Sequence, residues 1–164
     1  MNPESVKALL EAVRDGRTDV AGAVDALRRM PFEDLGFASI DHHRAIRCGF
    51  PEVIFSAGKT AAEVAAIFAK LAETGNNVLA TRAGPEVYQG VAEASPAAVY
   101  HERARAITLA QSAPAEPIGH IALVAAGTSD LPVAEEARVT AEIMGHRVTT
   151  HYDVGVAGIH RLFG

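Results

Sequence analysis

The stretch AAGTSDLP, residues 125–132, has the make-up of a phosphate-binding turn. It lies between an apolar run, IGHIALV, and an amphipathic run, LPVAEEARVTAEIMG, and so joins a strand to a helix N-terminus. In open α/β sheets, ligands bind at the carboxyl ends of the strands. There the free N–H groups and the positive end of the helix dipole favour phosphate. Gly127 lets a ligand approach the backbone, Thr128 and Ser129 add hydroxyl donors, and Asp130 is placed to accept from a ribose or hold a reacting group. The plain alternative is that Ser129 or Asp130 only caps the helix. The loop is neither a Walker loop nor GxGxxG, so as a motif it is weak on its own.

A second loop, YDVGVAG (152–158), follows the run HRVTTHYDVG, which reads as the next strand. Asp153 and Gly155 are therefore expected on the same edge as Gly127. Two neighbouring strand-end loops, each with an Asp and a Gly, support a nucleotide crevice better than either does alone. The alternative for Asp153 is the N-cap of a last helix, VAGIHRLFG.

The block IDHHRAIRCGFPEV (40–53) concentrates Asp41, His42, His43, Arg44, Arg47, Cys48 and Glu52. Adjacent histidines are poorly placed to chelate one ion, and a cysteine beside two arginines is the setting of an acidified thiol. A hydrogen-bonded turn or an interface is the plainer reading; a ligand-facing lid and a metal site are the alternatives, and the sequence does not choose among them. His101, His120, His146, His151 and His160 are scattered without HExxH spacing, so no metal site is expected.

The elements that must hold these loops follow from periodicity and punctuation. Asn2, Pro3 and the apolar set Val6, Leu9, Leu10 and Val13 predict a helix ending at Gly16. A second helix starts at Thr18 or Asp19, with Val20, Ala23, Val24 and Leu27 on one face, to make a hairpin. VIFS (53–56) predicts a strand, TAAEVAAIFAKLAETG a helix capped by Thr60 and closed by Gly75, and NVLATR (77–82) a strand. GPEVYQGVAEA then reads as a helix, and AAVYHE (97–102) and ARAITL (104–109) as extended segments. QSAPAEPIG (111–119) is the clearest boundary. It separates a helical and small α/β domain over 1–112 from a nucleotide-binding unit over 118–164.

In that second unit the strand IGHIALVAAG is expected to be buried on both faces, and the helix to turn Val133, Ala137, Thr140, Ala141 and Met144 inward. Two parallel strands and one crossover helix cannot bury their own faces. Only 47 residues run from Ile118 to Gly164, whereas such domains usually need about 100 or more. The expectation is a truncated domain whose remainder lies elsewhere.

Bulk properties narrow the function. A net charge of −5 leaves no basic surplus for a phosphate backbone, so nucleic acid is not an expected partner. No apolar run approaches the ~20 residues of a membrane span, and the polar N-terminus is not a signal peptide. With one cysteine and no disulfide possible, the chain reads as soluble and cytoplasmic.

Taken in order, DHHRAIRCGFPEVIFSAGKT, NVLATR, YHERAR, VAAGTSDLPVAEEARVTAEIMGHRV and YDVGVAGIHRL resemble the LarB family from Leu35 onward. That family is related to the phosphoribosylaminoimidazole carboxylases of the PurE class. The resemblance implies an α/β fold: a helical hairpin and small α/β unit, then the first part of a flavodoxin-like, PurE-like three-layer domain. It implies an enzyme that carboxylates nicotinic acid adenine dinucleotide at pyridinium C5 with CO2 or bicarbonate and hydrolyses the phosphoanhydride. The products are AMP and pyridinium-3,5-biscarboxylic acid mononucleotide, the nickel-pincer nucleotide precursor. Gly127, Thr128, Ser129 and Asp130 match the family's GTSD loop, and Asp153 and Gly155 its DVG loop.

A pyridinium ring resists an electrophile such as CO2 until a nucleophile has added to it, and the family is thought to use a cysteine thiolate with a glutamate handling protons. Both are expected beyond Gly164, Cys48 being in a different block, so no catalytic residue is assigned in this chain. The resemblance further implies a homo-oligomer in the complete protein, no tightly bound cofactor, and Mg2+ only as a companion of the dinucleotide. The competing expectation is a non-catalytic nucleotide-binding or assembly module.

Overall fold

A computed structural model describes residues 3–28, 33–41, 44, 48–112 and 116–155. The predicted last helix, together with Asn2, His42, His43, Arg47 and His160, lies outside the described residues. The chain opens with α1 (Pro3–Arg14) and α2 (Val20–Arg28), which pack against each other. Asp19 starts α2 by accepting from the Gly22 N–H at 2.7 Å, the bond an N-cap side chain makes. Ala12 and Ala23 are buried between these helices, while Leu10, Val20, Val24 and Leu27 are exposed. A short hairpin follows, β1 (Glu33–Asp34) with β2 (Ser39–Ile40), turning at Gly36 with φ +82°. Two-residue strands carry no readable alternation, and this hairpin was not visible as strands in the sequence.

The main sheet comprises β3 (Val53–Phe55), β4 (Val78–Thr81), β5 (Val99–His101) and β6 (Ala106–Leu109) in the order β3-β4-β6-β5. β3 and β4 are parallel and the other pairs antiparallel. The crossover from β3 to β4 is α3 (Ala61–Ala72), and α4 (Pro85–Ala94) follows β4. Thr60 caps α3 as its spacing to Glu63 predicts, in a reciprocal capping box. Gly75 adopts φ +73° just past the helix, a conformation that suits glycine.

Alternation along the strands assigns the two faces. Ile54, Val78, Ala80, Ile107 and Leu109 pack on Val64, Phe68 and Leu71 of α3 and on Val87 and Val91 of α4. The opposite face offers Leu79 and Ala106, with Ala104 beside them, to Val139 of α5 (Leu131–Ile143). The sheet is thus covered on both sides, and every residue of β4 and β6 is buried.

α5 is the crossover between β7 (His120–Val124) and β8 (Arg147–His151), a parallel pair in register from His120↔Arg147 to Val124↔His151. The α/β class and the strand–helix–strand reading therefore hold. Asn77 ties the pieces together: its Nδ2 donates to the Ile143 carbonyl, and its Oδ1 accepts from the Gln111 and Ser112 N–H groups.

Two packing expectations need correction. β7 is not buried on both faces: among its residues only Leu123 is even half-buried, because the described residues bring one helix and no second layer to this pair. The inward face of α5 is also different. Val133 is 62% exposed and Ala137 is exposed, whereas Ala134 and Val139 are buried. The helix is claimed by the four-stranded sheet as well as by its own strands, and that second partner rotates its buried stripe.

Candidate functional site

β7 and α5 meet at Gly127, which has extended backbone, φ −145° and ψ 174°, with no atom within 4 Å of where a Cβ would stand. Thr128–Asp130 form one 3-10 turn that leads into α5. The N–H groups that begin such a turn have no acceptor inside it, and Pro132, in the first turn of α5, has no N–H to satisfy. Thr128, Ser129 and Asp130 are all exposed. Neither Ser129 nor Asp130 caps the long helix through its side chain. Instead the Gly127 N–H donates to Asp130 Oδ2 at 3.0 Å, closing the loop on itself.

The DVG loop lies against this turn. The Ala125 N–H donates to the His151 carbonyl and the Val154 N–H donates to the Ala125 carbonyl, which continues the parallel pairing past the strand ends. Gly155 sits so close that a Cβ there would lie 2.8 Å from the Ala126 carbonyl oxygen. Its missing side chain is what lets the two loops meet. Asp153 is exposed and holds φ +59°, an uncommon backbone state for a non-glycine residue. The structure thus brings Gly127, Thr128, Ser129, Asp130, Asp153 and Gly155 to one edge.

A clamp that the sequence reading missed fixes this edge. Tyr152 Oη donates to Glu135 Oε1 at 2.8 Å, and Glu135 Oε2 accepts from Arg138 Nε and Nη2 at 3.1 and 2.8 Å. Arg138 Nη1 also pairs with Glu142. The Arg138 hydrogen bonds hold the Glu135 carboxyl below its ordinary range, while burial, then the Glu135 bond, pushes the Tyr152 phenol up. The same carboxylates raise Arg138. The i, i+3 and i+4 spacing of Glu135, Arg138 and Glu142 was the available signal.

The adjacent Glu136 pairs with Arg82 Nε at 2.9 Å, so the carboxyl end of β4 reaches the same helix. Arg82 has φ +56°, and Arg105, across from it at the start of β6, has φ +49°. The Ala83 N–H donates to the Arg105 carbonyl at 2.7 Å and joins the two bends. Neither arginine was singled out from the sequence, since positive φ is not readable at an arginine.

The 40–53 block stands elsewhere. Cys48 and Arg44 are exposed, and the Asp41 N–H donates to Glu52 Oε2 at 2.8 Å. Phe50 lies 6.5 Å from His146, centroid to centroid. A cavity of about 180 Å³ is lined there by Phe50, Glu52, Val53, Asn77, Ile118 and Met144. It is at the far end of α5 from the GTSD turn and touches none of the predicted site residues. Among the described residues no three His, Cys, Asp or Glu side chains gather as metal ligands, and no helix is long and apolar enough to cross a membrane.

Two loops thus converge at the strand ends of a parallel α/β unit, the position at which open α/β sheets bind ligands. Comparison with known proteins shows what the chain is similar to. Residues 32–111 match the family described as the LarB/PurE-like N-terminal domain. The chain is also similar to an uncharacterized protein of Methanocaldococcus jannaschii, 37% identical over 130 residues, which is 76% of this chain and 51% of that relative. The chain spans about half the length of the curated relative it matches.

Proposed function

We propose that the GTSD and DVG loops form the nucleotide cradle of a LarB-type carboxylase/hydrolase, and that the anion they take is a phosphate of nicotinic acid adenine dinucleotide. The reaction served is carboxylation of the pyridinium ring by CO2 or bicarbonate, with release of AMP, on the route to a nickel-pincer cofactor. The observation that carries this reading is the convergence of the two loops: Gly155 packs on Ala126 while Gly127 faces open space at the start of α5. The likeness of residues 32–111 to the LarB/PurE-like N-terminal domain supports the carboxylase class. In the cradle, the leading N–H groups of the turn and the Thr128 and Ser129 hydroxyls would hold phosphate oxygens, and the helix dipole favours the charge. Asp130 orders the turn by accepting from the Gly127 N–H, and Asp153 stands in the neighbouring loop. Mg2+ would enter only with the dinucleotide, and CO2 or bicarbonate is the co-substrate. A homo-oligomer is the proposed assembly.

A second reading, a nucleotide-binding or assembly module without chemistry, is favoured by the place of Cys48, which is exposed and stands outside the cradle. Calorimetric titration with nicotinic acid adenine dinucleotide, paired with an AMP-release assay in bicarbonate, separates these readings from failure. Saturable binding that weakens in Ser129→Ala and Asp130→Asn but not in Cys48→Ser is expected, with no AMP released by this chain alone. Turnover above the Ser129→Ala control would overturn the second reading. Binding unchanged in both cradle variants would overturn the cradle.

A further inference from the structure

Neither strand-end loop contains a lysine or arginine, yet each contributes a carboxylate, Asp130 and Asp153. A nucleotide is itself anionic, so this edge needs a cation from another element. Arg138, on the same helix, is already shared between Glu135 and Glu142. Two arginines outside this unit reach the helix: Arg103, whose charge acts on Glu135, and Arg82, which makes a direct ion pair with the helix. Arg82 Nε meets Glu136, adjacent in the chain to the residue that holds Tyr152 of the DVG loop.

The backbone of Arg82 points the same way. Among the described residues, the non-glycine residues with positive φ are Arg82, Arg105 and Asp153. Asp153 lies two residues past the end of β8; Arg82 and Arg105 are joined by the hydrogen bond from the Ala83 N–H to the Arg105 carbonyl. An exposed ion pair contributes little to stability and does not call for an unfavourable backbone at the arginine. Backbone outliers of this kind gather at ligand sites. Glu136 lies six residues past Asp130, which places Arg82 roughly 9 Å along the helix from the turn at ~1.5 Å rise per residue. That separation suits the far part of a large substrate better than the phosphate on the turn itself.

We propose that Arg82 is a binding residue of this crevice, taking a second anionic group, phosphate or carboxylate, of a substrate whose first phosphate lies on the GTSD turn. The assignment rests on that turn being the nucleotide site. The guanidinium is oriented by Glu136 through Nε, and its planar fork of donors matches either anion.

The test is titration of Arg82→Gly and Glu136→Gln with nicotinic acid adenine dinucleotide, its nicotinamide counterpart, and AMP. Glycine accepts the backbone of position 82 without strain, so Arg82→Gly removes the guanidinium without asking the loop to move, and a thermal melt no lower than the parent's confirms this. Loss of one charge-assisted contact is expected to weaken binding of the acid dinucleotide by about tenfold or more, with AMP affinity changed by less than about twofold. Glu136→Gln, which only releases the guanidinium, should bind at least as well as the parent. A loss confined to the acid dinucleotide assigns the carboxylate, and a loss shared with the amide assigns the second phosphate. Equal loss for AMP, equal loss in Glu136→Gln, or unchanged dinucleotide binding in Arg82→Gly would each overturn the proposal. If Arg82→Gly binds normally while Ser129→Ala does not, only Arg82 is misassigned. If the parent chain binds no dinucleotide, the cradle reading falls with it.

Discussion

The two sheets of this molecule are made from similar words and live in different surroundings. VLAT of β4 and AITL of β6 are buried at every position, enclosed by α3 and α4 on one side and α5 on the other. HIALV of β7 is equally apolar, yet Val124 is 60% exposed and Ile121 37%. Strand composition therefore reports a need for cover and says nothing of who provides it. The contrast also separates stability from recognition: the proposed cradle stands on the lightly covered pair, while the covered sheet contributes rigidity and Arg82.

Substitutions can break this contrast directly. Phe68 is fully buried between α3 and the main sheet, and Phe68→Ala should destabilise by about 3–5 kcal/mol through lost burial and the cavity left behind. Ile121→Ala in the other sheet should cost less than about 1.5 kcal/mol, since that side chain already meets water. Urea unfolding of both variants measures the difference, and equal losses would show that the pair carries as much of the fold as the main sheet. Next in size is Gly155→Ala. A methyl 2.8 Å from the Ala126 carbonyl must push the DVG loop away, at about 1–3 kcal/mol. Gly127→Ala, with open space around it, should leave stability nearly unchanged. Thr60→Ala removes the cap of α3 and should cost about 1 kcal/mol, read in the same unfolding experiment.

The smallest expected effects are pH-dependent. The Arg138 bonds keep the Glu135 carboxyl below its ordinary value, so the folded state gains from this group above the unfolded carboxylate range near ~4.3 and loses that gain as pH falls through the lowered value. Glu135→Gln should therefore be less stable than the parent at neutral pH, with the gap narrowing in acid. His101 is lowered too, by burial first and by Arg138 second. Its contribution is intact above about 6.5 and declines as pH falls below that value, because the unfolded chain takes up the proton first. Stability profiles of His101→Gln against the parent should converge on the acid side of that window.

Much of this architecture was legible beforehand, and for identifiable reasons. Thr60 and Glu63 at capping spacing, Gly75 after the apolar stripe, and Pro85 opening α4 are local signals whose physics is complete within a few residues. The meeting of the GTSD and DVG loops was legible because parallel strands bring their carboxyl ends together. What escaped depends on distant partners. The buried stripe of α5 is chosen by Leu79 and Ala106, not by the helix's own periodicity. The left-handed Arg82 and the Tyr152–Glu135 clamp arise from packing that no local window contains.

In the proposed function, the edge built from Gly127–Asp130 and Asp153–Gly155 holds a nucleotide. The most direct measurement is amide chemical-shift mapping during titration with nicotinic acid adenine dinucleotide. Saturable shifts are expected at those residues and at Arg82, with little change around Phe50, Asn77 and Met144 at the far cavity. Shifts confined to that cavity, or no saturable shift at Gly127–Asp130, would contradict that function.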